Sequence, residues 1–122
     1  LVIDPPDGRI PALTPAGDVV ANVGGLQPAI VALDGATGGV LWRHALRMSD
    51  APESGSRSGP VVDVGGNVYA GTLDGDVVAL TADGALRWSF RAQGAVHASP
   101  MLGPDGTLYV GADDGAVYTL RD

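Results

Sequence analysis

The chain repeats itself. Residues 68–80, VYAGTLDGDVVAL, and residues 108–120, LYVGADDGAVYTL, are identical at six of thirteen positions at an offset of forty. The matching pairs are Tyr69/Tyr109, Gly71/Gly111, Asp74/Asp114, Gly75/Gly115, Val77/Val117 and Leu80/Leu120, and Pro60/Pro100 keep the same offset. A more divergent copy lies upstream. Pro11, Leu13, Pro15 and Gly17 are spaced like Pro100, Leu102, Pro104 and Gly106, Leu33 answers to Leu80, and Trp42 answers to Trp88. An internal period of this length means that the fold is an array of like units.

What each unit contains follows from its punctuation. Nineteen Gly and nine Pro among 122 residues are too many for a helical domain. They stand between short runs of Val, Leu, Ala and Tyr, which is the all-β signature. The middle copy predicts strands near 60–64, 67–72, 76–81 and 85–91. Gly65-Gly66, Asp74-Gly75 and Asp83-Gly84 supply the turns between them, where a positive φ is needed. The first copy predicts strands near 10–14, 18–23, 29–34 and 39–46, and the third 96–102, 107–112 and 115–121. Four antiparallel strands at a period near forty make a propeller blade. The expected organisation is a preceding or closing strand and turn over 1–8, a first blade over 9–46 and a polar, Ser- and Gly-rich surface loop over 47–59. A second blade over 60–91 follows, then a third over 92–122 that lacks its outer strand.

The first copy also reads Ala32-Leu-Asp34-Gly-Ala-Thr37-Gly38-Gly-Val-Leu-Trp42. This resembles the tryptophan-docking motif A-x-D-x-x-T-G-x-x-x-W of the PQQ-like β-propeller repeat family at every fixed position. Ala79-Leu-Thr-Ala-Asp83-Gly84-Ala-Leu-Arg-Trp88 resembles its form shorter by one residue. Without the family, the motif still makes physical sense. Asp34 and Thr37 are suited to bond turn backbone groups, and Gly38 to take the left-handed position. The resemblance implies that Trp42 and Trp88 stack between adjacent blades, so truncating such a ring costs about 3–5 kcal/mol. It also implies an all-β propeller arc, exported to the periplasm or cell exterior of a bacterium.

Charge and composition exclude several functions. Seven Arg, no Lys and fourteen acidic residues leave a net charge of −7, which argues against a nucleic-acid partner. No Cys is present, which excludes disulfides, thiolate metal sites and thiol nucleophiles. No apolar run is long enough for a membrane span, and no signal peptide is read in this chain. The six Asp-Gly dipeptides raise the idea of calcium, but a calcium loop of the EF-hand kind needs a distal Glu. The two stretches that invite it most, Asp74-Gly75-Asp76 and Asp113-Asp114-Gly115, have no such Glu, since the single Glu is Glu53, so hairpin turns are expected and no metal site. No G-x-S-x-G and no phosphate loop occur, so no catalytic residue is assigned. His44 follows Trp42 by two and shares its strand face, where it is expected to pack.

One candidate binding site comes from position. Three residues before the repeat's Pro stand His97 in the third copy and Arg57 in the second. In the family this Pro lies on the innermost strand. Arg57 and His97, with Ser58 and Ser99, are therefore candidates for a polar lining at one mouth of the central channel. The leading expectation is a non-catalytic module that binds or scaffolds a protein or small ligand, with no cofactor. The family includes a lipoprotein of the outer-membrane barrel-assembly machinery as well as PQQ-dependent alcohol and sugar dehydrogenases. A dehydrogenase fragment, with PQQ as cofactor, is thus the alternative. Fewer than four blades do not close a ring, so the sequence reads first as part of a longer propeller. A homodimer completing a six-bladed ring, with Leu1-Val2-Ile3 as the partner's outer strand, is the second reading, and an open arc the third.

Overall fold

The computed structural model describes residues 11–23, 28–46, 59–72, 75–96 and 99–121. Eleven strands appear among them. β1 (Ala12–Leu13), β2 (Val19–Val23), β3 (Ala29–Leu33) and β4 (Val40–Ala45) form one antiparallel sheet in sequence order. β5 (Val61–Val62), β6 (Val68–Gly71), β7 (Asp76–Leu80) and β8 (Leu86–Arg91) form a second of the same order. β9 (Met101–Leu102), β10 (Leu108–Gly111) and β11 (Val117–Leu120) form a three-stranded third. This is an all-β architecture of partial PQQ-like propeller blades in open sheets. Among the described residues no helix is long and apolar enough to cross a membrane. Residues 1–8 and nearly all of the expected loop over 47–59 lie outside the described residues.

The innermost strands are shorter than the sequence suggests. β1, β5 and β9 hold two paired residues each, because each runs directly into the turn that follows. That turn is the same in all three sheets. In the second, Gly66 N–H donates to the Asp63 carbonyl at 3.0 Å and Asp63 N–H to the Asn67 carbonyl at 3.0 Å. The glycine at the third position after the turn's first residue has φ +89° at Gly17, +87° at Gly66 and +86° at Gly106. That is the left-handed conformation which closes a hairpin through a bulge. Gly65, the first of its Gly-Gly pair, is not among the positive-φ glycines.

Side chains alternate between two faces along each strand, so each sheet has a forward face toward the next sheet and a back face toward the one before. Val20, Ile30, Ala32 and Trp42 on the forward face of the first sheet pack on Val62, Val68, Ala70, Val78 and Leu80 of the second. Tyr69, Val77, Ala79, Trp88 and Phe90 of the second pack in turn on Leu102, Leu108, Val110, Tyr118 and Leu120 of the third. Ile30, Leu80 and Leu108 are all but fully buried at these junctions, each contributing about 2 kcal/mol of apolar burial. The forward face of the third sheet repeats the pattern, and no described sheet packs on it. Met101, Tyr109 and Val117 are 69%, 41% and 73% exposed, whereas Tyr69 and Val77 at the equivalent positions are 6% and 0%.

Candidate functional site: the clefts between sheets

The Trp42 turn is built as its residue types require. Ala36 and Thr37 N–H donate to Asp34 Oδ1 at 2.8 and 3.0 Å, and Gly39 N–H donates to Thr37 Oγ1 at 3.2 Å. These backbone donors, Ala36 first, hold the Asp34 carboxyl below the usual carboxylate range. Gly38 takes φ +77°. In the second sheet the turn is closed differently. Thr81 stands where Asp34 stands, and its Oγ1 accepts from Ala85 N–H at 3.1 Å. Sequence reading singled out Asp83 and missed Thr81. The clue was available, since Thr81 occupies the Asp position of the aligned motif. Gly84 takes φ +86°.

Trp42 crosses to the next sheet. Its Nε1–H donates to the Ala82 carbonyl at 2.9 Å, and its ring lies over Gly84, where an added Cβ would stand 2.5 Å from Trp42 Cδ2. Glycine is therefore required at 84 twice over, by backbone conformation and by the indole. Ala32 and Ala79 are the register partners of Trp42 and Trp88. Both are buried, and their small side chains leave room for the rings.

Beside each Trp the register slips, between Ala32 and Leu33 in one sheet and between Ala79 and Leu80 in the other. The pairs on either side are Ala32 with Trp42 and Leu33 with Val40, then Ala79 with Trp88 and Leu80 with Leu86. The extra residues in the two bulges are therefore Leu41 and Arg87. A bulge re-aims its extra side chain. Both residues lie next to their Trp in sequence, and both serve the same junction as that Trp.

Arg87 uses this position to complete a polar chain. Its Nη1–H donates to the Tyr69 hydroxyl oxygen at 3.2 Å, and the Tyr69 hydroxyl donates to Asp63 Oδ2 at 3.0 Å. Asp63 also accepts from Gly65 N–H, Asn67 N–H and Asn67 Nδ2. Burial pushes the Asp63 carboxyl up, but these donors outweigh it and leave it below the usual range. Burial, with the neighbouring carboxylate, pushes the Tyr69 hydroxyl up. The Tyr69 ring lies 6.2 Å from that of Trp88. Aligning the registers of β1–β4 with β5–β8 puts Thr14, Val20 and Leu41 where Asp63, Tyr69 and Arg87 stand. Three shorter or apolar side chains thus replace a chain of rings and ions. At the first junction a cleft of about 470 Å³ lies open, with Val20 and Val68 among its lining, Trp42 and Leu41 beside them, and Asp18, Val64 and Asp83 also bordering it. Sequence reading did not find this cleft.

Of the channel-mouth residues, Arg57, Ser58 and His97 lie outside the described residues. Ser99 is exposed, and its Oγ accepts from Gly59 N–H at 3.0 Å, which ties the starts of two innermost strands together. His44 borders a smaller cleft of about 300 Å³ with Thr72, Asp76 and Ser89. Among the described residues no group of three or more His, Asp or Glu is arranged to hold a metal ion. Asp105 and Asp114 are committed to turns. Thr107 N–H donates to Asp105 Oδ1 at 3.1 Å and Ala116 N–H to Asp114 Oδ1 at 2.9 Å, while Arg121 pairs with Asp105 and the Tyr118 hydroxyl with Asp114.

Residues 26–122 match the protein family described as outer membrane protein assembly factor BamB. No curated protein matches the sequence. Among solved structures, a protein of unknown function from Bacteroides caccae superposes with a TM-score of 0.66 at 18% identity, over 98% of this chain and 44% of its own. BamB from Moraxella catarrhalis gives a TM-score of 0.60 at 24% identity, over 88% of this chain and 29% of its own. A europium-containing methanol dehydrogenase gives 0.60 at 20% identity, over 85% and 24%. These likenesses show the fold, and the chain spans less than half the length of each of the three.

Proposed function

Because the chain belongs to the family described as outer membrane protein assembly factor BamB, we propose that it is a non-catalytic PQQ-like propeller module. Its task is to bind or scaffold a protein or small ligand within a larger exported bacterial protein, periplasmic or extracellular. The observation that carries this reading is the family match itself. The family's description names an assembly factor of the outer membrane, a role that needs surfaces and no reaction centre. The geometry agrees in kind, since Asp34, Asp63, Asp105 and Asp114 close turns of their own sheets. The exposed forward face of the third sheet is taken to receive another blade, from a continuing chain or from a second copy closing a ring.

The alternative, part of a PQQ-dependent alcohol or sugar dehydrogenase, has the methanol dehydrogenase likeness in its favour. Among the described residues, three of the arginines offer no site for that cofactor. PQQ carries several carboxylates and calls for converging cations, whereas Arg87, Arg91 and Arg121 reach back to Tyr69, Asp76 and Asp105 of their own sheets. A titration of the protein with PQQ and calcium or europium, read by quinone absorbance and dye-coupled alcohol oxidation, separates the readings. No spectral shift and no turnover are expected. A stoichiometric shift would replace the module with the dehydrogenase.

A further inference from the structure

The open cleft at the first junction has a template inside the same chain. At the second junction the equivalent positions hold a phenol and a guanidinium, bonded to one another and anchored on a carboxylate. From that comparison we infer that the first cleft receives an arginine side chain on an extended segment of a partner protein. The guanidinium lies against Trp42 and between the carboxylates of Asp18 and Asp83. This rests on the reading of the chain as a binding module and names the chemistry of its partner.

The template explains the shape. The space bordered by Val20 and Leu41 corresponds to that occupied by Tyr69 and Arg87, and the Trp42 indole is the wall that Trp88 offers to Tyr69. At about 470 Å³ the cleft is larger than one side chain, so the partner also lays an apolar neighbour on Leu41 and Val64. Those two rim residues are 50% and 97% exposed. The cleft is also rigid before binding. Trp42 is held by its bond to the Ala82 carbonyl and by the surface of Gly84, and Asp18 Oδ1 is fixed by Gly35 N–H at 3.1 Å. A wall that is already ordered loses little entropy when it is covered.

Charge selects the occupant. A carboxylate offers about four lone-pair sites, so Asp18 has acceptor capacity beyond its bond to Gly35. A chain of net charge −7 draws cations toward it and repels acidic segments. Arginine suits the cleft better than lysine, because a planar guanidinium stacks on an indole while donating in its own plane to two carboxylates.

The test uses the full 122-residue chain and a capped Leu-Arg-Leu tripeptide, followed by NMR at the Trp42 indole N–H and the Val64 methyl groups. Saturable shifts at both are expected, stronger at low salt. Citrulline in place of arginine, which keeps shape and loses charge, should weaken binding by about tenfold, and Asp83→Asn by several-fold. Leu41→Arg places in the first junction what Arg87 places in the second. It should abolish the shifts while far-UV circular dichroism and the dispersion of the indole signals stay unchanged. Equal binding of the citrulline peptide, or undiminished binding by Leu41→Arg, overturns the proposal. A wild-type titration without saturable shifts overturns it too. None of these outcomes touches the module reading, whose failure would appear in the quinone titration.

Discussion

The two junctions between sheets are the same construction finished in two ways. Each has a Trp on the outermost strand, a small Ala paired with it, a bulge beside it and a turn with a left-handed glycine below it. At the second junction Tyr69, Arg87 and Asp63 join through hydrogen bonds, and the phenol ring packs beside Trp88. At the first, Val20, Leu41 and Thr14 do none of this, and Trp42 reaches over to the next sheet's backbone. A repeat secures its fold with the residues common to all copies. The positions that differ place a hydrogen-bonded chain at one junction and a cleft at the other.

The comparison can be broken most forcefully at the tryptophan. Trp42→Ala removes a ring packed on the first junction and its bond to Ala82, and should lower unfolding stability by about 3 kcal/mol, measured by urea melts. A loss no larger than that of an exposed substitution would mean that the indole does not hold the two sheets together. Next comes Tyr69→Val, which copies the first junction into the second. The cavity and the lost hydroxyl should cost about 2–3 kcal/mol, and the new cleft should bind the tripeptide only weakly because Arg87 remains there.

Acid sharpens the contrast further. Asp63 is held below its ordinary value in the folded chain, so its contribution is complete above the unfolded carboxylate pKa of about 3.9. It is lost as pH falls through the lower folded value. Asp34, Asp105 and Asp114 are shifted in the same direction, the last chiefly by the Tyr118 hydroxyl. Melting temperature should therefore drop below about pH 4, and Asp63→Asn should flatten that acid limb while Thr14→Val leaves its slope alone. The smallest effect belongs to Val64→Asp. A residue 97% exposed should change stability by no more than about 0.5 kcal/mol, so a larger loss would show that the rim is part of the core.

Much of this was legible in the sequence, for reasons that lie in particular residues. The offset of forty aligned Tyr69 with Tyr109 and Leu80 with Leu120, and the registers of β6–β7 and β10–β11 carry the same alignment. The roles of Asp34, Thr37 and Gly38 were readable because their hydrogen bonds span only two or three residues. The Asp63–Tyr69–Arg87 chain was not. Tyr69 and Arg87 are eighteen residues apart, and only the bulge at Ala79/Leu80 brings the second to the first. Thr81 was overlooked because Asp83 is the more familiar turn residue, although the aligned motif pointed to 81.

By itself the sequence determined what depends on near neighbours: the repeat, the all-β class, the turns with their left-handed glycines, and which strand carries each tryptophan. Backbone sterics and short-range hydrogen bonds decide these within a few residues, whatever the rest of the chain does. The tertiary structure alone decided which forward face meets which back face, where Trp42 lands on Gly84 and Ala82, and that one junction carries the Asp63–Tyr69–Arg87 chain while the other holds a cleft. Those outcomes depend on a bulge that re-aims Leu41 and Arg87 and on side chains packed across sheets. That is a balance of volume and charge between residues far apart in sequence, and no local pattern records it.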